Sequence, residues 1–296
     1  MKLIHKRKST TGKSLKQTLN NVKMGETWVY GTGKLKGVSY HEIGQLSAHM
    51  IKDLANKDLS DYFIYRKYIK RDLQFSSTPA MLTGTAFHTA VLEPKDYDST
   101  YAVSPKFDRR TKEGKAGYAI WSAQNDHKTL LTDEQDTQVK NMTSAVKSNK
   151  YATAILDGCH SEVSGFILLE SDRILKGRID SINYASNYGV DLKSVEDCSP
   201  KGFASAVAKY RYDIQAYTYK KLFGLDEFLF LCCSKKDPYE IGIYDLNNDF
   251  MAKSEDDFEL AMERWERILV SGEHNTFANK NNPMITLAPP NWFNYL

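Results

Sequence analysis

With 296 residues, 41% hydrophobic and 26% charged, the chain is long enough to bury a sizeable core and has the composition of a soluble globular protein. Its net charge of +3 does not by itself announce a nucleic-acid binder. The four cysteines, Cys159, Cys198, Cys232 and Cys233, include no CxxC pair, which argues against a zinc or iron–sulfur site and for a reducing, cytoplasmic setting. No stretch approaches the ~20 apolar residues of a membrane span.

Residues 1–37 read as a basic, flexible N-terminal arm. Lys2, Lys6, Arg7, Lys8, Lys13, Lys16, Lys23, Lys34 and Lys36 face one acid, Glu26. Such an arm can contact phosphate, or be a solvated terminus, which is the commoner case. It lacks the apolar run of a signal peptide. The folded domain is expected over 38–278, with an irregular Asn/Pro-rich tail over 279–296.

A helix is predicted from Ser39, as cap, to about Lys57, with Glu42 completing a capping box. Tyr62–Lys70 interleaves aromatics with Arg66, Lys67 and Lys70. It can stack on nucleic acid, but an amphipathic helix is the favoured reading. Thr83–Glu93 predicts a short apolar helix ended by Pro94. Residues 104–118 predict a flexible loop with Gly114 and Gly117, made basic by Arg109, Arg110, Lys112 and Lys115. Thr132–Asn149 predicts a helix capped by Thr132, with Gln135 three residues on and Val139, Met142 and Val146 on one stripe.

The centre changes period. Glu162–Leu169, Ile174–Ile182 and Gly189–Val195 read as strands, the last two joined as a hairpin. One helix is predicted from Pro200 to Leu222, capped by Ser199 and stopped at Gly224. Strands over Phe228–Cys233 and Tyr239–Tyr244 and a closing helix over Phe250–Ser271 follow. This order describes an α/β fold with a mixed central β-sheet flanked by helices.

Two segments carry chemistry, Gly177-Arg178-Ile179-Asp180 and Gly189-Val190-Asp191-Leu192-Lys193. Residues two apart on a strand share a face, so Asp191 and Lys193 project together while Val190 and Leu192 face the core. A buried carboxylate and ammonium are costly without a purpose. Asp180 can meet Asp191 across the hairpin, and two carboxylates beside a lysine suit a hard cation such as Mg²⁺. The bland alternative is a surface ion pair on an edge strand. On the next helix, Gln215 and Tyr219 share a face, with Tyr212 three residues before Gln215. The glutamine could bind water or phosphate, and Tyr219 could hold the phosphate or stack on a base. His88 lies on an apolar helix, where a histidine is more often core than ligand.

The runs GTAFHTAVLEP (84–94), GRID with VDLKS (177–194) and QAYTY (215–219) resemble the phage exonuclease VIII, or RecE-like, family over about residues 38–270. That family belongs to the PD-(D/E)XK nuclease superfamily, with the RecB nuclease domain and lambda exonuclease as distant relatives. The resemblance implies a restriction-endonuclease-like core over 38–278. It makes Asp180, Asp191, Lys193, Gln215 and Tyr219 catalytic, and His88, Asp180, Asp191 and the Leu192 backbone carbonyl metal ligands. Glu162 matches an acidic residue that commonly opens the first strand. Arg109, Arg110, Lys112, Lys115, Arg178 and Tyr212 are candidate DNA contacts.

The implied activity is Mg²⁺-dependent exonuclease digestion, with Mn²⁺ as a substitute, of one strand of linear double-stranded DNA from its 5′ end. The implied partners are double-stranded DNA, a single-strand annealing protein, and further copies of the chain in a ring. The implied setting is the cytoplasm of a bacterial host carrying a phage or prophage. An endonuclease or single-strand nuclease of the same fold, or a silent DNA-binding scaffold, are the alternatives. Iron–sulfur relatives use cysteine ligands that this chain lacks.

Overall fold

Alternating aliphatic residues in the middle of the chain become strands of a mixed sheet, and the stripes on either side become helices that cover it. The computed structural model describes residues 8–9, 28–30, 46–169, 171, 173–271, 275–278 and 283–290. In chain order, strands β1 (Lys8–Ser9), β2 (Trp28–Tyr30) and β3 (Leu46–Ser47) precede helix α1 (Ala48–Ala55). Next come α2 (Asp61–Ile64), which continues into a π-helical segment over Tyr65–Lys70, then α3 (Pro79–Leu92), the short α4 (Tyr97–Thr100) and β4 (Tyr101–Val103). Then follow α5 (Lys112–Gln124), β5 (Thr129–Leu131), α6 (Asp133–Ser148) and α7 (Lys150–Leu156). The chain continues through β6 (His160–Leu168), β7 (Ile174–Asn183), β8 (Tyr188–Val195), α8 (Pro200–Tyr210) and α9 (Tyr212–Phe223). It closes with β9 (Glu227–Ser234), β10 (Ile241–Tyr244) and α10 (Asn248–Ser271).

Among the described residues the main sheet runs β1-β2-β6-β7-β8-β9-β10, with β3 also paired to β7. The β6–β7, β7–β8 and β9–β10 pairs are antiparallel and β8–β9 is parallel, so the sheet is mixed, as expected. One face packs on α1, α8, α9 and α10 through Ile51, Phe203, Leu222, Phe258 and Trp265. The other packs on α3, α6 and α7 through Phe87, Met142, Val146 and Ala152. Val190 and Leu192 belong to the second face, so Asp191 and Lys193, by the period of two, project towards the first. Gly177 lets α9 lie directly on β7, since a Cβ there would stand 2.5 Å from Leu222 and 2.8 Å from Tyr219.

Several expectations change. The start of the predicted helix at Ser39 lies outside the described residues. The helix itself begins at Ala48, because Ser47 caps it by accepting from the Met50 N–H, while Leu46 and Ser47 pair with β7. Lys8–Ser9 and Trp28–Tyr30, within the supposed flexible arm, are strands of the sheet, so the sheet begins before residue 38. The loop predicted over 104–118 is helical from Lys112, capped by Thr111. Gly117 there serves packing, since a Cβ would lie 2.9 Å from the Phe107 ring. The capping box of Thr132 and Gln135 is formed as predicted.

The single helix predicted over 200–222 is two. Arg211 adopts a left-handed φ of 54° between α8 and α9. Its guanidinium holds Asp213 at 2.9 and 3.1 Å and Asp257 of α10 at 2.5 Å. Ser254 adds a hydrogen bond to Asp213 at 3.0 Å. The two carboxylates are nearly inaccessible; Lys253 also pairs with Asp257, so removing Arg211 leaves chiefly Asp213 as buried charge without its cation. Arg211→Leu is therefore expected to destabilise the protein by roughly 2–3 kcal/mol, less than a fully buried pair because Arg211 is partly exposed. Chemical denaturation measures it, and a change below about 0.5 kcal/mol would show that the junction does not need this network.

Candidate active site

The β7–β8 hairpin pairs only through Ser181–Val190, Ile182–Gly189 and Asn183–Tyr188. Beyond Ser181 the two strands part. β7 takes β3 as a neighbour at Leu175 and Lys176, while β8 continues along β9. Asp180 stands where the ladder ends, and its carboxylate accepts the Leu192 N–H at 2.9 Å. A side chain thus replaces a backbone acceptor that the fork has removed.

On β8, Asp191 is 1% exposed. One carboxylate oxygen accepts from Gln215 Nε2 at 2.5 Å, and the other forms an ion pair with Lys193. That second oxygen has no aligned hydrogen bond among the described residues. Lys193 also donates to Gln215 Oε1 at 3.4 Å. Gln215 therefore bridges the pair, its amide nitrogen donating to the acid and its amide oxygen accepting from the base. Burial pushes the Asp191 carboxyl up against the pull of Lys193. For Lys193 burial works downwards, but Asp191 and Asp180 outweigh it and hold the ammonium charged.

On the other side of the fork, Glu162 of β6 stands across from Asp180, as the flanking pairs Ser161–Ser181 and Val163–Ile179 require. Two opposed carboxylates are unfavourable in a sheet. Glu162 also has a φ of 52°, a left-handed backbone that costs a non-glycine residue about 1–2 kcal/mol. The strand loses its alternation here: Ile179 and Ile182, three apart, both enter the core on the α9 side. Burial, then Asp180, drives the Glu162 pKa up to about 8.

His88 reaches the same point from α3, with Nδ1 3.3 Å from Asp180 Oδ2. His88, Glu162 and Asp180 offer ligand atoms that all lie within 4.8 Å of one another. Two carboxylates and an imidazole are donors that divalent metals take, and a cation between them would offset the repulsion of the opposed carboxylates. The donor set fits a divalent metal. Glu162 joins His88 and Asp180 in this cluster, and Asp191, also expected as a ligand, stands in contact with Lys193 and Gln215. A glutamate at the head of an apolar strand was the available signal for Glu162. Its partner depended on a register that the sequence does not display.

Other expected residues divide. Tyr219 is buried, and its hydroxyl donates to the Arg178 carbonyl at 2.8 Å, so it fixes β7 and cannot offer its ring to a base. Tyr212 packs against Phe203 and carries the Lys193 ammonium 4.7 Å from its ring centre. Arg178 donates to Ser164 at 3.1 Å. Arg109 lies over the Tyr118 ring at 4.2 Å and Arg110 is paired with Asp108, so the basic segment is more self-satisfied than its composition suggested. Lys112 and Lys115 are exposed on α5. No helix among the described residues is long and apolar enough to cross a membrane.

Residues 47–282 match a family described as a PDDEXK-like domain of unknown function (DUF3799). No curated protein matches the sequence. Among solved structures the chain is similar to a provisionally named exonuclease from Eubacterium rectale, with 14% identity over 85% of this chain and 92% of the other and a TM-score of 0.58. A phage-related exonuclease from Haemophilus somnus 129PT is 12% identical over 57% of this chain and 91% of its own, with a TM-score of 0.32. At 14% identity the first of these likenesses shows a shared fold.

The strain at Glu162 separates backbone from carboxylate. Glu162→Gly should keep or raise stability, by up to about 1 kcal/mol, because glycine accepts a positive φ. Mn²⁺ binding by calorimetry should weaken by at least roughly tenfold. Unchanged Mn²⁺ affinity would remove Glu162 from the cation site.

Proposed function

The chain belongs to the PDDEXK-like family, within the PD-(D/E)XK nuclease superfamily, and on that premise we propose that it is a metal-dependent exonuclease acting on linear double-stranded DNA. The observation that carries this reading is the buried Asp191–Lys193 pair bridged by Gln215 and set beside the His88–Glu162–Asp180 cluster. A core built only for stability gains little from these charges, since apolar residues of similar volume do as well.

Mg²⁺, or Mn²⁺ in its place, would be held by His88, Asp180 and Asp191 with the Leu192 carbonyl, joined by Glu162, and would supply Lewis-acid stabilisation of phosphate charge and a more acidic bound water. The chain's own groups do the rest. Lys193, held as an ammonium, stabilises negative charge as it grows on the phosphate. Gln215 fixes the rotamers of both Asp191 and Lys193, so neither must reorganise when substrate arrives. Asp180 couples the site to the backbone of β8 through Leu192. Tyr219 holds the strand that carries Asp180.

The resemblance to the exonuclease VIII family supports the finer reading. Digestion proceeds from 5′ ends and leaves single-stranded tails for a single-strand annealing protein. The chain assembles with copies of itself into a ring around DNA, in the cytoplasm of a bacterium that carries the phage or prophage. Lys112 and Lys115, with Arg109 and Arg110 more constrained, contribute phosphate contacts away from the catalytic centre.

With Mg²⁺, the protein should release label from 5′-labelled linear duplex faster than from 3′-labelled duplex, leave closed circles intact, and stop when a chelator is added. Asp191→Asn and Lys193→Met should each lower turnover by roughly 10²–10³-fold or more in protein whose circular dichroism shows the fold retained. Turnover near wild type in either variant would dismiss this centre, and cutting of closed circles would favour an endonuclease. For the basic segment, Lys112→Glu with Lys115→Glu should reduce the log–log salt slope of duplex binding by about two units. An unchanged slope would leave α5 without a DNA role.

A further inference from the structure

Helix α1 brings a second lysine to the site. Lys52 Nζ lies 5.5 Å from the centre of the Tyr212 ring, the same ring that carries Lys193 at 4.7 Å. Each cation is attracted by the ring, but two ammoniums sharing one ring repel each other. Lys52 is half-buried, and burial followed by the Lys193 charge draws its pKa down to about 8. It therefore still carries its proton for the most part at neutral pH.

The carboxylates that act most strongly on Lys52 are each engaged elsewhere. These are Asp191, Asp53 and Asp213. Asp53 accepts from Lys67 at 2.5 Å and from the Tyr68 hydroxyl at 2.7 Å. Asp213 is held by Arg211 and Ser254. Asp191 is held by Lys193 and Gln215. None of the three forms an ion pair with Lys52, whose ammonium lies over the Tyr212 ring.

A half-buried ammonium without a counter-ion is unfavourable for the folded protein by itself. A lysine serving only as helix surface would extend its stem and place its charge in water. Here the charge is kept beside the Asp191–Lys193 pair, and among the described residues no carboxylate forms an ion pair with it. The missing partner is then an anion that arrives from outside.

We propose that Lys52 is a substrate-binding residue that grips a backbone phosphate of the DNA strand bound at the Asp191–Lys193 centre, with the Tyr212 ring setting the spacing between the two ammoniums. This rests on the nuclease reading above. It adds a phosphate contact from α1, outside the strands and helix that carry the catalytic groups. It also gives Tyr212 a task that fits its packing: a platform for lysines instead of a free face for a base.

The test uses the full chain and a fluorescent linear duplex in chelator, so that binding is read without cleavage. Anisotropy titrations across a salt series compare wild type with Lys52→Met and Lys52→Arg. Lys52→Met is expected to weaken binding by roughly tenfold at low salt and to lower the log–log salt slope by about one unit, whereas Lys52→Arg keeps the slope. The melting temperature of Lys52→Met should stay level or rise, because an unneutralised half-buried charge is lost. Mn²⁺ binding by calorimetry should remain within twofold, since Lys52 is no ligand.

An unchanged affinity and slope in Lys52→Met, with a wild type that binds and cuts duplex, overturns this inference and leaves the nuclease reading standing. A clear fall in melting temperature with the slope unaltered assigns Lys52 to stability and overturns it equally. A wild type that neither binds nor cuts duplex in the companion Mg²⁺ assay overturns both.

Discussion

The site depends on one interruption of the sheet. β7 and β8 form three cross-strand pairs and then separate, and at that point the Leu192 N–H takes the Asp180 carboxylate in place of a backbone carbonyl. A sheet that continued its ladder would have closed the space between these strands and left Asp180 and Asp191 as neighbours in a filled surface. Because the strands part, Asp180 can be approached by Glu162 from β6 and by His88 from α3, while Asp191 is free to face α9. Past the fork β7 takes β3 as a neighbour, while β8 keeps β9 along its other edge.

Two kinds of buried charge occur close together, and they differ in saturation. Around Arg211 the cation meets Asp213 and Asp257, with Ser254 and Lys253 completing the set. Every carboxylate has more than one donor, and the result fixes the left-handed junction between α8 and α9. That junction sets the start of α9, and with it Tyr212 and Gln215. At the fork the balance is reversed. Glu162 and Asp180 oppose one another and, among the described residues, one oxygen of Asp191 lacks an aligned donor and no carboxylate forms an ion pair with Lys52. Arrangements of the first kind hold the fold. Those of the second kind cost several kcal/mol by themselves and are stabilised when ions of the missing sign bind.

The helices that carry these groups are placed by packing more than by their own propensities. Gly177 admits α9 against β7, so Tyr219 can bond to the Arg178 carbonyl and Gln215 can reach Asp191. α3 is held from the opposite face by Phe87 in the second core, which presents His88 at the fork. The site therefore draws on both layers that cover the sheet, and the fork is where the two layers come nearest to a common space.

The residue pattern by itself determined the strands of the centre, the capping box at Thr132, and the common face of Asp191 and Lys193. These are consequences of periods of 2 and 3.6 residues, which neighbours in the chain impose. It also carried the motifs that group Asp180, Asp191, Lys193, Gln215 and His88. Only the tertiary structure decided that Glu162 confronts Asp180, that Tyr219 is a buried strand support, and that Lys52 shares a ring with Lys193. It likewise decided the break at Arg211 and the start of α1 at Ala48, behind the Ser47 cap, against a local pattern that favoured continuous helices. The physical reason is range. Strand register, the parting of β7 from β8, and the pairing of charges from distant segments are set by how whole layers pack, and no window of neighbouring residues contains that information.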